Sequence, residues 1–339
     1  MQIRRHPKKM MIGFALILAL CMIGAAGIGR YMIPFDRVLS ILLSPVFNLE
    51  PGWTEVERTV IWSIRVPRIL LAVLIGAGLS VSGAALQALF ANPLVSSHVL
   101  GVSYGAGFGA ALGILLSENH LVIQALAILF GMIAIGITYK IGHSKKGVQL
   151  YMLVLAGVIV GALFQALISF IQYVADPEEK LPSIVYWLMG SLGGTSLNDL
   201  KIGIPLIGIG ILMIWCIRWH LNVLSLSEEE AHSMGVNLKL LRSIIIGATT
   251  MITAVAVSLS GIIGFVGLVI PHFARMMVGH EHRVLIPATI LLGGIYLLVI
   301  DTMARSVTAA EIPLSVLTAI IGAPFFALLL RRTGGRWHD

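Results

Sequence analysis

Charge is scarce in this chain. Asp, Glu, Lys and Arg make up 12% of its 339 residues, where soluble domains carry ~25%. Cysteine is nearly absent: Cys21 and Cys216 both fall in apolar stretches and belong to no spaced set, which excludes a disulfide framework and a thiolate metal site. No nucleotide loop is present, neither G-x-x-x-x-G-K-[ST] nor G-x-G-x-x-G, so any ATP hydrolysis has to come from another chain. The zinc-protease signature H-E-x-x-H is missing too. Its nearest approach, "HEHRV" at 280–284, places Val284 where the second histidine belongs. No nucleophile elbow of the G-x-S-x-G type occurs. These absences argue against an enzyme, against a resident metal and against a cofactor held by this chain.

What the sequence holds in quantity is apolar residues, 58% of the total, with a mean hydropathy of +0.95. Stretches of about 20 apolar residues recur, each long enough to cross ~30 Å of hydrocarbon as a helix. The alternating ~10-residue segments of a membrane β-barrel are not seen. The fold class expected is all-α and polytopic, with about ten spans near 10–33, 69–90, 94–116, 121–141, 148–173, 202–219, 243–260, 262–279, 284–303 and 313–331. The basic start "MQIRRHPKK" imitates a signal peptide, but the apolar run continues to about Tyr31 and further spans follow, so a first membrane helix is expected. With the N-terminus inside, 15 of the 23 basic residues fall on inner segments, the bias expected of cytoplasmic loops. Both termini are therefore assigned to the cytoplasm, and the net charge of +7 is read as topology rather than as nucleic-acid binding. Outer segments 34–64 and 174–200 are long enough for short surface helices. No separate soluble domain is expected; residues 1–339 form one membrane domain.

Glycine patterns mark packing. Gly101, Gly105, Gly109 and Gly113 are spaced by four, as are Gly157 and Gly161; each set clears a helix face for a close neighbour. Gly261, Gly264 and Gly267 precede Pro271, which predicts a bent or partly unwound helix. Gln165, Ser169 and Gln172 share one face of the fifth span. Polar groups at that depth either bond between helices or line a cavity. Asp301 and Arg305 are four apart and predict a local ion pair. Arg65 and Arg68 sit at the outer end of the second span, against the positive-inside trend; lipid headgroups or an acidic partner would each suit them. The loop "LSLSEEEAHSMGVN", 224–237, places three consecutive carboxylates inside. Ser225 or Ser227 can cap a helix of about two turns there, with Glu228, Glu229 and Glu230 in its first turn and Gly235 at its left-handed end.

Within that loop "EAHSMG" reads Glu-Ala-x-x-x-Gly at Glu230, Ala231 and Gly235, and it resembles the coupling loop of ABC importer permeases. Longer stretches narrow the likeness: "RVPRILLAVLIGAGLSVSGAALQALFANPL" (65–94), "LGVSYGAGFGA" (100–110), "GFVGLVIPHFARMMVGHEHRVLIP" (264–287) and "DTMARSVTAAEIPLSVLTAIIGAPFF" (301–326). Across about 60–331 the chain resembles the FecCD family, permeases for iron-siderophores, haem and cobalamin. The resemblance implies a type II importer fold in a bacterial plasma membrane. It implies a second permease subunit, identical or a paralogue, and two ATPase subunits that carry ATP and Mg. It also implies an extracytoplasmic binding protein docked on Arg65, Arg68 and Arg305, and a pathway lined by spans five and ten, which would include Gln165, Ser169 and Gln172. The expected cargo is a ferric siderophore, with haem or cobalamin as alternatives. An ion-coupled secondary transporter is the rival from another class.

Overall fold

The computed structural model describes residues 7–47, 52–144, 147–226, 228–308 and 310–333. Helices α1 (Pro7–Gly27), α2 (Phe35–Leu43), α3 (Glu55–Thr59) and α4 (Val66–Leu89) come first, with a π-helical turn, Val60–Arg65, joining α3 to α4. A 3₁₀ turn, Ser97–Leu100, leads into α5 (Val102–Leu116) and then α6 (His120–Gly142). A small hairpin pairs His143–Ser144 with Gly147–Val148. There follow α7 (Leu150–Val174), α8 (Lys180–Leu188), α9 (Leu197–Ile217), a 3₁₀ turn His220–Ser225, and α10 (Glu228–Ser233). The last four helices are α11 (Leu238–Ser260), α12 (Val266–Val278), α13 (His282–Ser306) and α14 (Leu314–Thr333).

Seven helical stretches are long and apolar enough to cross a membrane, and α5, α12 and the first part of α14 are shorter apolar helices. Together they fall on the ten stretches expected. Two of them are short for local reasons. The third span begins at Val102, because Pro93 and the left-handed Gly101 (φ +79°) break the backbone before it. The eighth begins at Val266, after a non-helical stretch at 261–265 that includes Phe265 at φ +65°. The unwinding thus lies before Val266, while Pro271 is accommodated inside α12. Thirteen residues rise only about 20 Å, so the irregular stretch makes up part of the depth. Such backbone survives at membrane depth only when protein covers it. Here Ser191 N–H donates to the Ser260 carbonyl at 2.9 Å, and the Trp187 carbonyl would lie 2.1 Å from any Cβ placed on Gly261.

Helix α4 is the centre and packs against α9, α11, α12 and α13. In lipid, helices associate through close packing rather than water exclusion, so small residues set the distances. A Cβ on Gly83 would stand 1.9 Å from the Gly267 carbonyl, and one on Gly76 2.2 Å from that of Gly293. The predicted glycine stripe of α5 lies against α6: Gly105 and Gly109 face the carbonyls of Phe130 and Leu126. By contrast α1, α7 and α14 are peripheral, each with one long face uncovered.

Candidate functional site

Charge concentrates at the two ends of the bundle. At one end α1 finishes and α4 and α14 begin. The helix leading there is well started: Thr54 accepts from Glu57 N–H at 3.2 Å, while Glu57 reaches back to Thr54 N–H at 2.8 Å. Arg37 Nη1 donates to Glu57 Oε1 at 2.7 Å. The π turn ends at Arg65, and Arg65 and Arg68 are both buried.

Arg68 forms the hub of this end. Its Nε and Nη2 donate to Asp301 at 2.8–3.0 Å, and Nη1 and Nη2 each donate to Glu311 at 2.9 Å. Arg305 lies 3.7 Å from Asp301 and donates to the Ala25 carbonyl. Arg65 donates to the carbonyls of Ala26 and Tyr31. Relative exposures are 4% for Arg65, 6% for Arg68, 7% for Arg305 and zero for Asp301. Arg65, Arg68 and Arg305, expected to meet an acidic partner, all turn into the chain and bond within it here. The expected local pair of Asp301 with Arg305 is the weaker contact, and Arg68, 233 positions away, is the closer partner. Glu311, to which the sequence reading gave no role, is the partly exposed member, at 23%. Burial would raise its pKa, but hydrogen bonds from Arg68 and the charges of Arg68, Arg30 and Arg305 outweigh that, and the carboxyl sits below its ordinary value. Its signal was readable: one of only 16 acidic residues, placed just before a span that starts near an arginine-rich end.

The opposite end carries α10. It is a helix of six residues, shorter than the two turns expected. Ser225 does not cap it; its Oγ donates to the Asn222 carbonyl at 2.7 Å and closes the preceding 3₁₀ turn. Ser227 lies outside the described residues. Glu228, Glu229 and Glu230 open the helix as expected, and Gly235 adopts φ +74° just beyond it. Nothing stands within 4 Å of a Cβ on Gly235, so backbone conformation alone calls for glycine there. Ala231 is fully buried and anchors the helix, whereas Glu229, Glu230, Ser233 and Met234 are exposed. Asn237 then caps α11 by accepting from Leu240 N–H at 3.1 Å.

Between the two ends runs the open face of α7. Gln165 and Ser169 are exposed and Gln172 is half-buried. Ser169 Oγ donates to the Gln165 carbonyl at 3.1 Å, within the same helix. Among the described residues none of the three bonds across to another helix. The stripe runs on through Ala162, Val158, Leu155 and Tyr151 at alternating spacings of three and four, all exposed. At its α10 end it meets a cavity of about 1450 Å³ between α6, α7 and the start of α11.

A multi-pass α-helical membrane protein with an uncovered polar stripe and a small exposed helix at one end has the form of a transporter subunit. A profile of the FecCD transport family matches residues 16–332, and the chain belongs to that family. It is 41% identical to the molybdate import system permease protein MolB of Haemophilus influenzae over 331 residues, 97% of each chain. It is 38% identical to the cobalamin import system permease protein BtuC of Halobacterium salinarum over 284 residues, 84% of this chain and 76% of that one. Among solved structures it is similar to an inward-facing conformation of a putative metal-chelate type ABC transporter, with a TM-score of 0.86, 40% identity, and 96% and 99% of the two chains covered.

Proposed function

We propose that this chain is the permease subunit of an ATP-driven importer in a bacterial plasma membrane. The α10 end faces the cytoplasm and the arginine cluster faces outward. The observation that carries the reading is the α7 stripe. Gln165 and Ser169 stand exposed in mid-span with no partner helix to satisfy them, and such groups favour a water-filled path over lipid. A second permease subunit, identical or a paralogue, supplies the facing wall. Two ATPase subunits, which hold ATP and Mg, grip α10 at Glu228, Glu229, Glu230, Ala231 and Gly235. Their closure moves a helix whose Ala231 is buried in the chain, and the two access states of the path exchange as rigid bodies.

A binding protein delivers cargo at the arginine end. One of its carboxylates reaches Arg68 by displacing Glu311, the exposed partner, so docking loosens the head of α14. Molybdate is the first cargo proposed, because the molybdate permease is alike over nearly the full length of both chains. A ferric siderophore, the cargo expected from sequence, comes second, and haem and cobalamin follow. An ion-coupled transporter would need a titratable carboxylate in the membrane; Asp301 is saturated by Arg68 instead.

The test is uptake in cells with and without this chain, using molybdate, ferric siderophores, haem and cobalamin in parallel. Selective, ATP-dependent loss of one cargo supports the reading and names the substrate. Uptake abolished by an uncoupler while ATP is maintained would favour the ion-coupled class.

A further inference from the structure

Helix α2 has an apolar face that the described residues leave uncovered. The helix lies across the arginine end of α1: a Cβ on Gly27 would stand 3.5 Å from a Val38 methyl, and α2 packs on α1 and on the π turn. Around its nine residues three sectors follow one another at helical spacing. Val38 and Ile41 are fully buried. Asp36, Ser40 and Arg37 form a polar sector, pinned where Arg37 bonds Glu57. Leu42, Phe35, Leu39 and Leu43 form the third sector, which is apolar, and Phe35 and Leu43 are exposed. Val46 and Phe47, just beyond the helix, are exposed as well.

The depth of α2 is set by α1. The 21 residues of α1 end at Gly27 and rise about 31 Å, while the hydrocarbon core is ~30 Å thick. A helix lying across that end sits at the boundary between hydrocarbon and headgroups. Tyr31, just before α2, and Trp62, on the π turn it packs against, are both exposed, and these residue types collect at that boundary. A helix with separate apolar and polar sectors lies in the interface plane, its apolar side sunk about 5–10 Å. The second permease subunit is a poorer occupant of the face. It is proposed to meet α7, which packs on α5, α6 and α8, whereas α2 packs on α1 and the π turn.

We propose that α2 is an interfacial foot, its Phe35, Leu39, Leu42 and Leu43 sector seated in the lipid leaflet at the arginine end, with Asp36, Ser40 and Arg37 turned to water. The seat bears on the ion cluster through Arg37, which holds Glu57 at 2.7 Å. Glu57 closes the capping box of α3, and the π turn that follows ends at Arg65. The leaflet is thereby part of what positions this end. The inference goes beyond the permease reading and depends on no cargo; it requires only that α1 crosses a membrane.

The experiment uses the full chain, with the subunits that copurify with it, in nanodiscs of phosphatidylcholine and phosphatidylglycerol. Cys21→Ala and Cys216→Ala remove the native thiols, and nitroxide labels are placed singly on Phe35→Cys, Leu43→Cys and Ser40→Cys. Labels at Phe35 and Leu43 should collide several-fold more with oxygen, which dissolves in lipid, than with a water-soluble nickel chelate, and the label at Ser40 should show the reverse. A preference for the nickel chelate at all three positions would put the sector in water and overturn the proposal. Labels at Phe35 and Leu43 that are immobile and shielded from both reagents would mean that protein covers the face, and would overturn it too. A second measurement needs no label. The emission added by Phe35→Trp, taken as a difference from the unsubstituted chain, should be quenched by lipids brominated at shallow acyl positions; no quenching at any depth would also overturn the foot.

Discussion

The two ends of the molecule treat charge in opposite ways. At the arginine end, three guanidiniums and two carboxylates are drawn into the protein and bonded across helices that are distant in sequence. At the α10 end, Glu229 and Glu230 are exposed on a six-residue helix whose Ala231 is buried. The first arrangement fixes geometry, because removing any partner leaves a charge in a poor dielectric. The second presents carboxylates at the surface.

The largest effect should come from breaking the closed end. Arg68→Ala strands Asp301 and Glu311 and should cost about 3–5 kcal/mol, seen as a large fall in melting temperature of the detergent-solubilised protein. A change within 1 kcal/mol would mean the cluster is not the lock described. On the path between the ends, Gln165→Trp should abolish uptake; full uptake would return the α7 stripe to a lipid-facing or packing role. Gly235→Val should act mainly on function at the gripped end. The left-handed conformation costs a β-branched residue about 1–2 kcal/mol and nothing crowds the site, so the protein should fold while transport uncouples from ATP hydrolysis. Transport at the normal ratio to ATP consumed would show that α10 is not the handle.

A smaller effect is expected from acid. Glu311 has a lowered pKa in the folded chain, from an ordinary value of 4.5. Its contribution is therefore complete above that value and disappears as pH falls through the lower folded one. The stability difference between the wild type and Glu311→Gln should be seen at neutral pH and vanish in strong acid; a difference that grows on acidification would reverse the assignment. The smallest is Thr54→Ala, which removes one half of a capping box and should cost about 1 kcal/mol without touching transport.

Much of this was legible in the sequence, and for physical reasons. Uniform hydrophobicity sets where helices lie, so ten apolar spans could be placed, although the third begins at Val102 rather than 94 and the first ends at Gly27 rather than 33. Glycines at every fourth position predicted the face that α5 turns to α6. The short helix at 228–233 was readable because three adjacent glutamates are conspicuous in a chain this poor in charge. The arginine cluster was only half legible. Position along a span places a residue at an end of the membrane, but it does not say which way a side chain turns. The π turn before Arg65 leaves no periodic trace, and the contacts of Arg68 with Asp301 and Glu311 cross more than 230 residues. Local spacing favoured Arg305 as the partner of Asp301 because only that pair is close in sequence.

The length of that separation also bears on how the chain is made. Arg68 enters the membrane with α4, early in synthesis, while Asp301 arrives with α13 and Glu311 just ahead of α14. Until then a guanidinium waits at the rim of the bilayer without a carboxylate to meet it. A truncated chain ending before α13 never acquires one. The ion cluster can therefore close only once α13 and the segment that precedes α14 have been made.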